Sequence, residues 1–210
     1  MIRGTPQPTP EVIVRPSVIR APPVRRPFTI SYEVEVINHR TGKRVCVRGD
    51  LFTNNFVKFM QFLFSNIPAG SYIDVSDFVN YDGTAKTLRA GTNEYDWEYC
   101  SGRPREWYIA TGKGTDTPSV NDYDLFDRVQ LCVLTYRSAT VSSTEATVEL
   151  KAGATATTTY DITEVGLMLY CCDDVGAAAY ILLTHDMLSE ALHVDEGDGF
   201  TAMYRFRFTW

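Results

Sequence analysis

The chain is 210 residues long, 44% hydrophobic and formally −6 at neutral pH, enough for one domain with a sizeable core. No apolar run approaches the ~18 residues of a membrane helix, and the N-terminus lacks the uninterrupted apolar stretch of a secretory leader, so neither a membrane span nor export is expected. Five cysteines without C-x-x-C spacing signal neither a zinc site nor a full disulfide framework, and buried free thiols in a reducing compartment are the expectation.

Residues 1–27 have a composition of their own. They hold seven of the ten prolines, and five arginines against Glu11 alone, a formal +4 that leaves −10 for the body, residues 28–210. Proline fixes φ, lacks the backbone donor and pushes its predecessor toward extended geometry, so Pro6, Pro8, Pro10, Pro16, Pro22, Pro23 and Pro27 forbid a continuous helix. The segment reads as an extended assembly arm. Its candidate contact residues are Arg15, Pro16, Arg20, Arg25 and Arg26, of which the four arginines would meet carboxylates on a neighbouring subunit. An acidic body argues against nucleic acid wrapping the domain, and only the arm could touch it.

From Phe28 to Val36 apolar and polar residues alternate strictly, the pattern of a strand buried on one side. Asn38 to Gly42 supplies turn chemistry and Val45 to Val47 resumes extended character, which predicts a hairpin. Phe56, Phe59, Met60, Leu63, Phe64 and Ile67 recur at spacings of three and four, with Thr53 or Asn54 able to cap and Pro68 and Gly70 to stop one amphipathic helix. Residues 68–128 read as long loops between short strands at Tyr72–Val75 and Trp107–Ala110. Strand candidates return at Val129–Tyr136, Ala146–Lys151, Thr157–Asp161, Glu164–Cys171 and Tyr180–His185. The last, Ala202 to Trp210, alternates cleanly. Short strands, regular turn signals and one helix predict an all-β fold, a β-sandwich or jelly-roll-like domain with an extended N-terminal arm.

Several motifs invite chemistry and fail its requirements. Thr111–Pro118 (TGKGTDTP) looks like a phosphate loop, but Lys113 is followed by Gly114 and not by Ser or Thr opening a helix. Arg48-Gly49-Asp50 reads as a turn after Val47, in which glycine supplies an unusual φ. Asp195-Glu196-Gly197-Asp198-Gly199 lacks the alternating ligands and closing Glu of a calcium loop and reads as a turn into the last strand. Asp122, Asp124 and Asp127 suit a short helical turn on the surface. His39, His185 and His193 have no nucleophile elbow beside them, and nothing in their spacing joins them, so no acid–base pair is assigned. No catalytic residue, metal site or cofactor is expected. Tyr95, Trp97, Tyr99 and Trp107 concentrate aromatics near Asp96, Glu98, Arg103 and Arg105, as packing under loops, a subunit interface or a sugar-binding surface would.

The order of three segments resembles virion structural proteins of tailed bacteriophages and related viruses. The first is Ile109-Ala110-Thr111-Gly112-Lys113-Gly114-Thr115-Asp116-Thr117-Pro118 running on to Leu125; the second is Ile162 to Leu167, spelled Ile-Thr-Glu-Val-Gly-Leu. The third is the series Ile181–His185, Asp195–Gly199 and Thr201–Trp210. The resemblance covers residues 105–210 and departs at Lys113 and at Cys171-Cys172-Asp173-Asp174. It implies a virion component, at a tail, connector, decoration or vertex position. The residues themselves give the signature a structural rationale: Ile162, Val165, Leu167 and Leu169 can enter a core, Gly166 can admit a close neighbour, and Glu164 can accept hydrogen bonds from the Thr/Gly-rich loop. The expectation is therefore a noncatalytic virion structural protein that forms a symmetric homo-oligomer with other virion structural proteins as partners. The alternative is a receptor- or carbohydrate-binding module on the particle exterior, using Trp97 and Trp107.

Overall fold

The computed structural model describes residues 29–49, 51–63, 72–91, 99–100, 103–104 and 106–210. The arm, with Arg15, Pro16, Arg20, Arg25 and Arg26, lies outside the described residues, as do Asp50, Tyr95 and Trp97. The elements are β1 (Thr29–Asn38), β2 (Arg44–Gly49), α1 (Asn54–Leu63), β3 (Tyr72–Val79), β4 (Ala85–Gly91), β5 (Tyr99–Cys100), β6 (Arg103–Pro104) and β7 (Glu106–Gly112). They continue with β8 (Arg128–Val133), β9 (Tyr136–Val141), β10 (Glu145–Thr155), β11 (Tyr160–Cys172), β12 (Ala178–Val194) and β13 (Gly199–Thr209).

The fold is all-β and sandwich-like, with one helix among the described residues. A five-stranded sheet of order β2-β1-β13-β10-β9 packs on a four-stranded sheet of order β12-β11-β7-β8, and β3-β4 and β5-β6 form two small hairpins. Every pairing is antiparallel. The alternation read in β1 and β13 sends Tyr32, Val34, Val36, Phe200, Ala202, Tyr204 and Phe206 inward, where they meet Ile109, Leu167, Leu169, Ile181 and Leu183 of the second sheet. The outward face of the first sheet is charged and self-neutralising. Across four strands runs the row Arg48, Glu33, Arg205, Glu149, in which Arg205 bonds Glu149 at 2.9 Å and Glu33 at 3.3 Å. A face of this kind is stable in water because each like charge is separated by an opposite one.

Strand β12 would expose a free edge, but other segments are stitched along it. Phe52 bridges Thr184 and Asn80 bridges Ile181; the Thr53 N–H donates to the Leu183 carbonyl, and the Thr53 hydroxyl to that of Leu182 at 2.7 Å. The Thr53 side chain therefore does not cap α1. The helix anchors through aromatics, Phe56 stacking on Phe52 at 4.0 Å and Phe59 meeting Trp107 edge-on at 5.7 Å. Its apolar face points where the periodicity placed it; the expected extension to Ile67 runs beyond the described residues.

Other expectations are corrected. Arg48 and Gly49 belong to β2 and not to a turn, and Gly49 is required by contact and not by φ: a Cβ there would lie 1.8 Å from the Tyr32 ring. The strand expected at Tyr72–Val75 runs on to Val79 and pairs with β4, which lies where a loop is expected, and β9 lies where no strand is expected. Residues 122–127 form turns with no helix. The thiols are not uniformly buried and free: Cys132 and Cys171 are, Cys46 is free but exposed, and Cys172 is disulfide-bonded. Burial pushes the Cys132 and Cys171 thiols up to about 12, so both act as apolar packing groups. Among the described residues no helix is long and apolar enough to cross a membrane.

Substituting Gly49→Ala should force the Tyr32 ring to move in a packed core and cost about 1–3 kcal/mol. An unchanged urea midpoint for this variant would show that the close approach is not a constraint.

Candidate functional site

Ile162 to Leu167 put a charge inside an apolar strand, beneath the Thr/Gly-rich loop. Strand β11 has a register shift between Ile162 and Glu164. On either side of it Tyr160, Ile162, Val165, Leu167 and Leu169 face the inter-sheet core, while Met168 joins Ala110, Leu125 and Leu182 in a second cluster on the opposite face. Glu164 is fully buried, 0% exposed, beneath the segment 113–127. A buried carboxylate needs donors for both oxygens. Oε1 accepts the N–H groups of Gly114 (2.9 Å) and Asp127 (2.8 Å); Oε2 accepts that of Phe126 (3.0 Å) and lies 2.9 Å from His185 Nε2.

His185 sits in the middle of β12, not at its end, and is also 0% exposed. Its Nδ1 is 2.7 Å from Asp122 Oδ2, an oxygen that also accepts the Ser119 N–H. Both neighbours are carboxylates, so an imidazole that satisfies both must carry two protons. The Phe126 ring packs over it at 4.7 Å. Burial opposes charge on both Glu164 and His185, but the hydrogen bonds win: the His185 contact and three backbone donors hold the Glu164 carboxyl below its ordinary value, and Glu164 and Asp122 raise His185 above its own. The three histidines stay apart, and His185 joins Glu164 and Asp122 in a buried carboxylate–imidazolium–carboxylate chain that the histidine spacing does not reveal. With both ring nitrogens engaged and no exposure of its side chain, His185 holds a loop to a sheet, beside the groove that it helps to line.

The loop's glycines are shaped by the carboxylate. A Cβ on Gly112 would approach Glu164 Oε1 to 2.4 Å and one on Gly114 to 2.7 Å, while one on Gly166 would meet the Leu182 and Leu125 side chains at 2.7 and 2.9 Å. The Thr163 hydroxyl completes the attachment by donating to the Gly114 carbonyl at 2.6 Å. Beside the clamp opens a groove of ≈ 600 Å³ walled by Arg48, Leu51, Thr115, Asp116, Pro118 and Met187. Its floor includes Asp186, which accepts the hydroxyls of Tyr32 (2.9 Å) and Tyr204 (3.1 Å), so this carboxylate too is engaged.

The remaining candidates are dispersed. His39 lies in the β1–β2 turn against Thr201, and His193 stands exposed between Asp161 and Asp195. The Asp195–Gly199 turn feeds β13 as expected, with Gly197 at φ 89° and Arg40 on Asp195 and Asp198. Among the described residues no group of His, Cys, Asp and Glu is arranged for a metal. Of the four aromatics, Tyr95 and Trp97 lie outside the described residues, Tyr99 is described only as backbone in β5, and Trp107 is packed against Phe59. The signal that could have found the clamp is the presence of ionisable Glu164 and His185 inside otherwise apolar runs, since a strand interior tolerates such groups only in pairs.

Glu164→Gln leaves a buried imidazolium and should cost about 3–5 kcal/mol, with faster hydrogen exchange at the amides of Gly114, Phe126 and Asp127. The pH dependence follows from the two shifts. Glu164 contributes fully above its ordinary 4.5 and loses this as pH falls through its depressed folded value; His185 contributes fully below 6.5 and loses this as pH rises through its elevated one. The cluster's contribution to melting temperature should therefore peak between 4.5 and 6.5, and His185→Gln should remove the alkaline limb. A melting temperature in His185→Gln that still falls above that range as in the wild type would refute the assignment.

In comparison with known proteins, the chain matches no family model, no curated protein and no solved structure.

Proposed function

We propose that this protein is a noncatalytic structural subunit of a virus particle, a sandwich block that assembles into a symmetric homo-oligomer through its body and its N-terminal arm, with other virion structural proteins as partners. The observation that carries this reading is the clamp. The two segments central to the resemblance, the Thr/Gly-rich loop and Ile162–Leu167, are consumed in binding one another through Glu164, with His185 spent in the same bond network. Such a use of ionisable residues suits a rigid block. The placement of the block at a tail, connector, decoration or vertex position belongs to the same proposal.

Charge supports an intersubunit arm. Its formal +4 complements a body at −10, and a segment rich in proline and arginine suits contact with acidic groups of a neighbouring subunit. The alternative of a receptor- or carbohydrate-binding module has less behind it, since Trp107, one of its two named tryptophans, is committed to packing on Phe59. Deleting residues 1–27 should leave a body with the wild-type circular dichroism spectrum that no longer assembles at concentrations where the full chain does. A truncated chain that sediments as the same oligomer would remove the arm from the proposal.

A further inference from the structure

Strand β9 is the one strand of the two main sheets whose residues are exposed on nearly all positions of both faces. It ends its sheet, pairing only with β10, and the pairing has no register shift from Tyr136 to Val141. Its backbone direction is fixed by the hairpin turn, where the Ser142 N–H donates to the Glu145 carbonyl at 2.7 Å. In an antiparallel ladder the exchanging pairs recur every second residue. Thr140, Ser138 and Tyr136 therefore spend their N–H and C=O groups on β10, and those of Arg137, Ala139 and Val141 point away from it. Three donors and three acceptors are presented in a straight row without proline, glycine or bulge. The apolar groups here are uncovered as well: Tyr136 is 50% exposed and Val141 76%. By contrast, β12 is stitched over by Phe52, Thr53 and Asn80.

We propose that β9 is the body contact of the assembly and that its occupant is β9 of a second copy, paired antiparallel about a two-fold axis through Ala139. This rests on the oligomeric reading above and names the surface involved. A two-fold perpendicular to a sheet places residues of equal parity opposite each other, which restricts the register. Centred on Ala139, the pairing sets Ala139 against its own copy, Arg137 against Val141 and Ser138 against Thr140. All three outward donors and acceptors of each strand then find partners. A register centred on Ser138 leaves Val141 unmatched. The two Arg137 side chains stay four residues apart along the ladder, about 13 Å, so like charges do not meet. Ser138 and Thr140 form a hydroxyl pair of the kind that stabilises cross-strand contacts. The result is one continuous ten-stranded sheet, with Ala139, Val141, Ala146 and Val148 of the two copies forming one strip on its inner side.

Ala139→Pro in the full chain removes an outward N–H and no bond to β10. The expected result is loss of the two-fold step in sedimentation, to half the wild-type mass or half its assembly unit, with the melting temperature retained. Ala139→Cys in a Cys46→Ser background should form an intersubunit disulfide across the axis on mild oxidation, and this readout stands even if the proline variant fails to fold. A monomeric wild type, a proline variant that associates as the wild type does, or a cysteine variant that stays uncrosslinked would each overturn the β9 pairing. If arm deletion abolishes assembly while the β9 variants leave it intact, this proposal fails and the broader one stands.

Discussion

The Glu164 carboxylate is the constraint around which the second sheet is organised. An ionised group in a fully buried position costs several kcal/mol unless its oxygens are filled. The sheet alone cannot fill them, because the backbone donors of β11 are occupied by β7 and β12. The donors come from outside, from Gly114, Phe126, Asp127 and His185. The segment 113–127 is thus bound to its position by the charge it neutralises, and the charge persists because the segment covers it. This also explains why TGKG resembles a phosphate loop. Its glycines let the backbone approach an anion closely, and the Gly114 N–H bonds it, but the anion is a side chain of the same molecule.

The same logic recurs where distant parts of the chain meet. Asp186 is reached by Tyr32 from β1 and Tyr204 from β13, and Thr184 donates to the Tyr204 hydroxyl at 3.0 Å while accepting the Leu167 N–H. Asn38 accepts the N–H groups of Arg40 and Thr41 and donates to the His193 carbonyl, which ties the β1–β2 turn to the end of β12. Among the described residues no buried side-chain nitrogen or oxygen lacks a partner. Apolar burial would tolerate a slip of two residues, which keeps the same face inward; these directional contacts would not, so the packing of the two sheets is specified as well as stabilised.

What could be read in advance follows from how many faces of a strand are buried. Strands β1 and β13 showed their alternation because one face is solvated. The long strands β11 and β12 are buried on both faces through much of their length, so their apolar runs gave neither period nor boundaries, and β12 was cut short at His185. Strand β9 failed for the opposite reason: exposed on both faces, Tyr-Arg-Ser-Ala-Thr-Val has no apolar period to detect. Glu164 was legible as an acceptor for the loop because it stands within a short motif beside a glycine-rich segment. Its partner His185 was not, since it stands 21 residues away and only the pairing of β11 with β12 brings the two together, and Asp122 reaches His185 from the segment folded over that sheet.

The distribution of charge separates the two kinds of contact proposed for this block. The broad outer face of the first sheet neutralises itself along the row Arg48, Glu33, Arg205, Glu149, so it offers little to a basic arm. Carboxylates instead gather at chain reversals, such as Asp82, Asp116, Asp174 and Glu196, all exposed. A positively charged segment would be drawn to these ends, whereas an uncharged run of backbone donors and acceptors such as β9 is matched only by another strand. Electrostatic attraction acts over about 8 Å at physiological salt and selects an approach, while ladder pairing acts at contact and fixes orientation. On this reading the arm governs encounter and the sheet edge governs geometry, and raising the salt concentration weakens the first without altering the second.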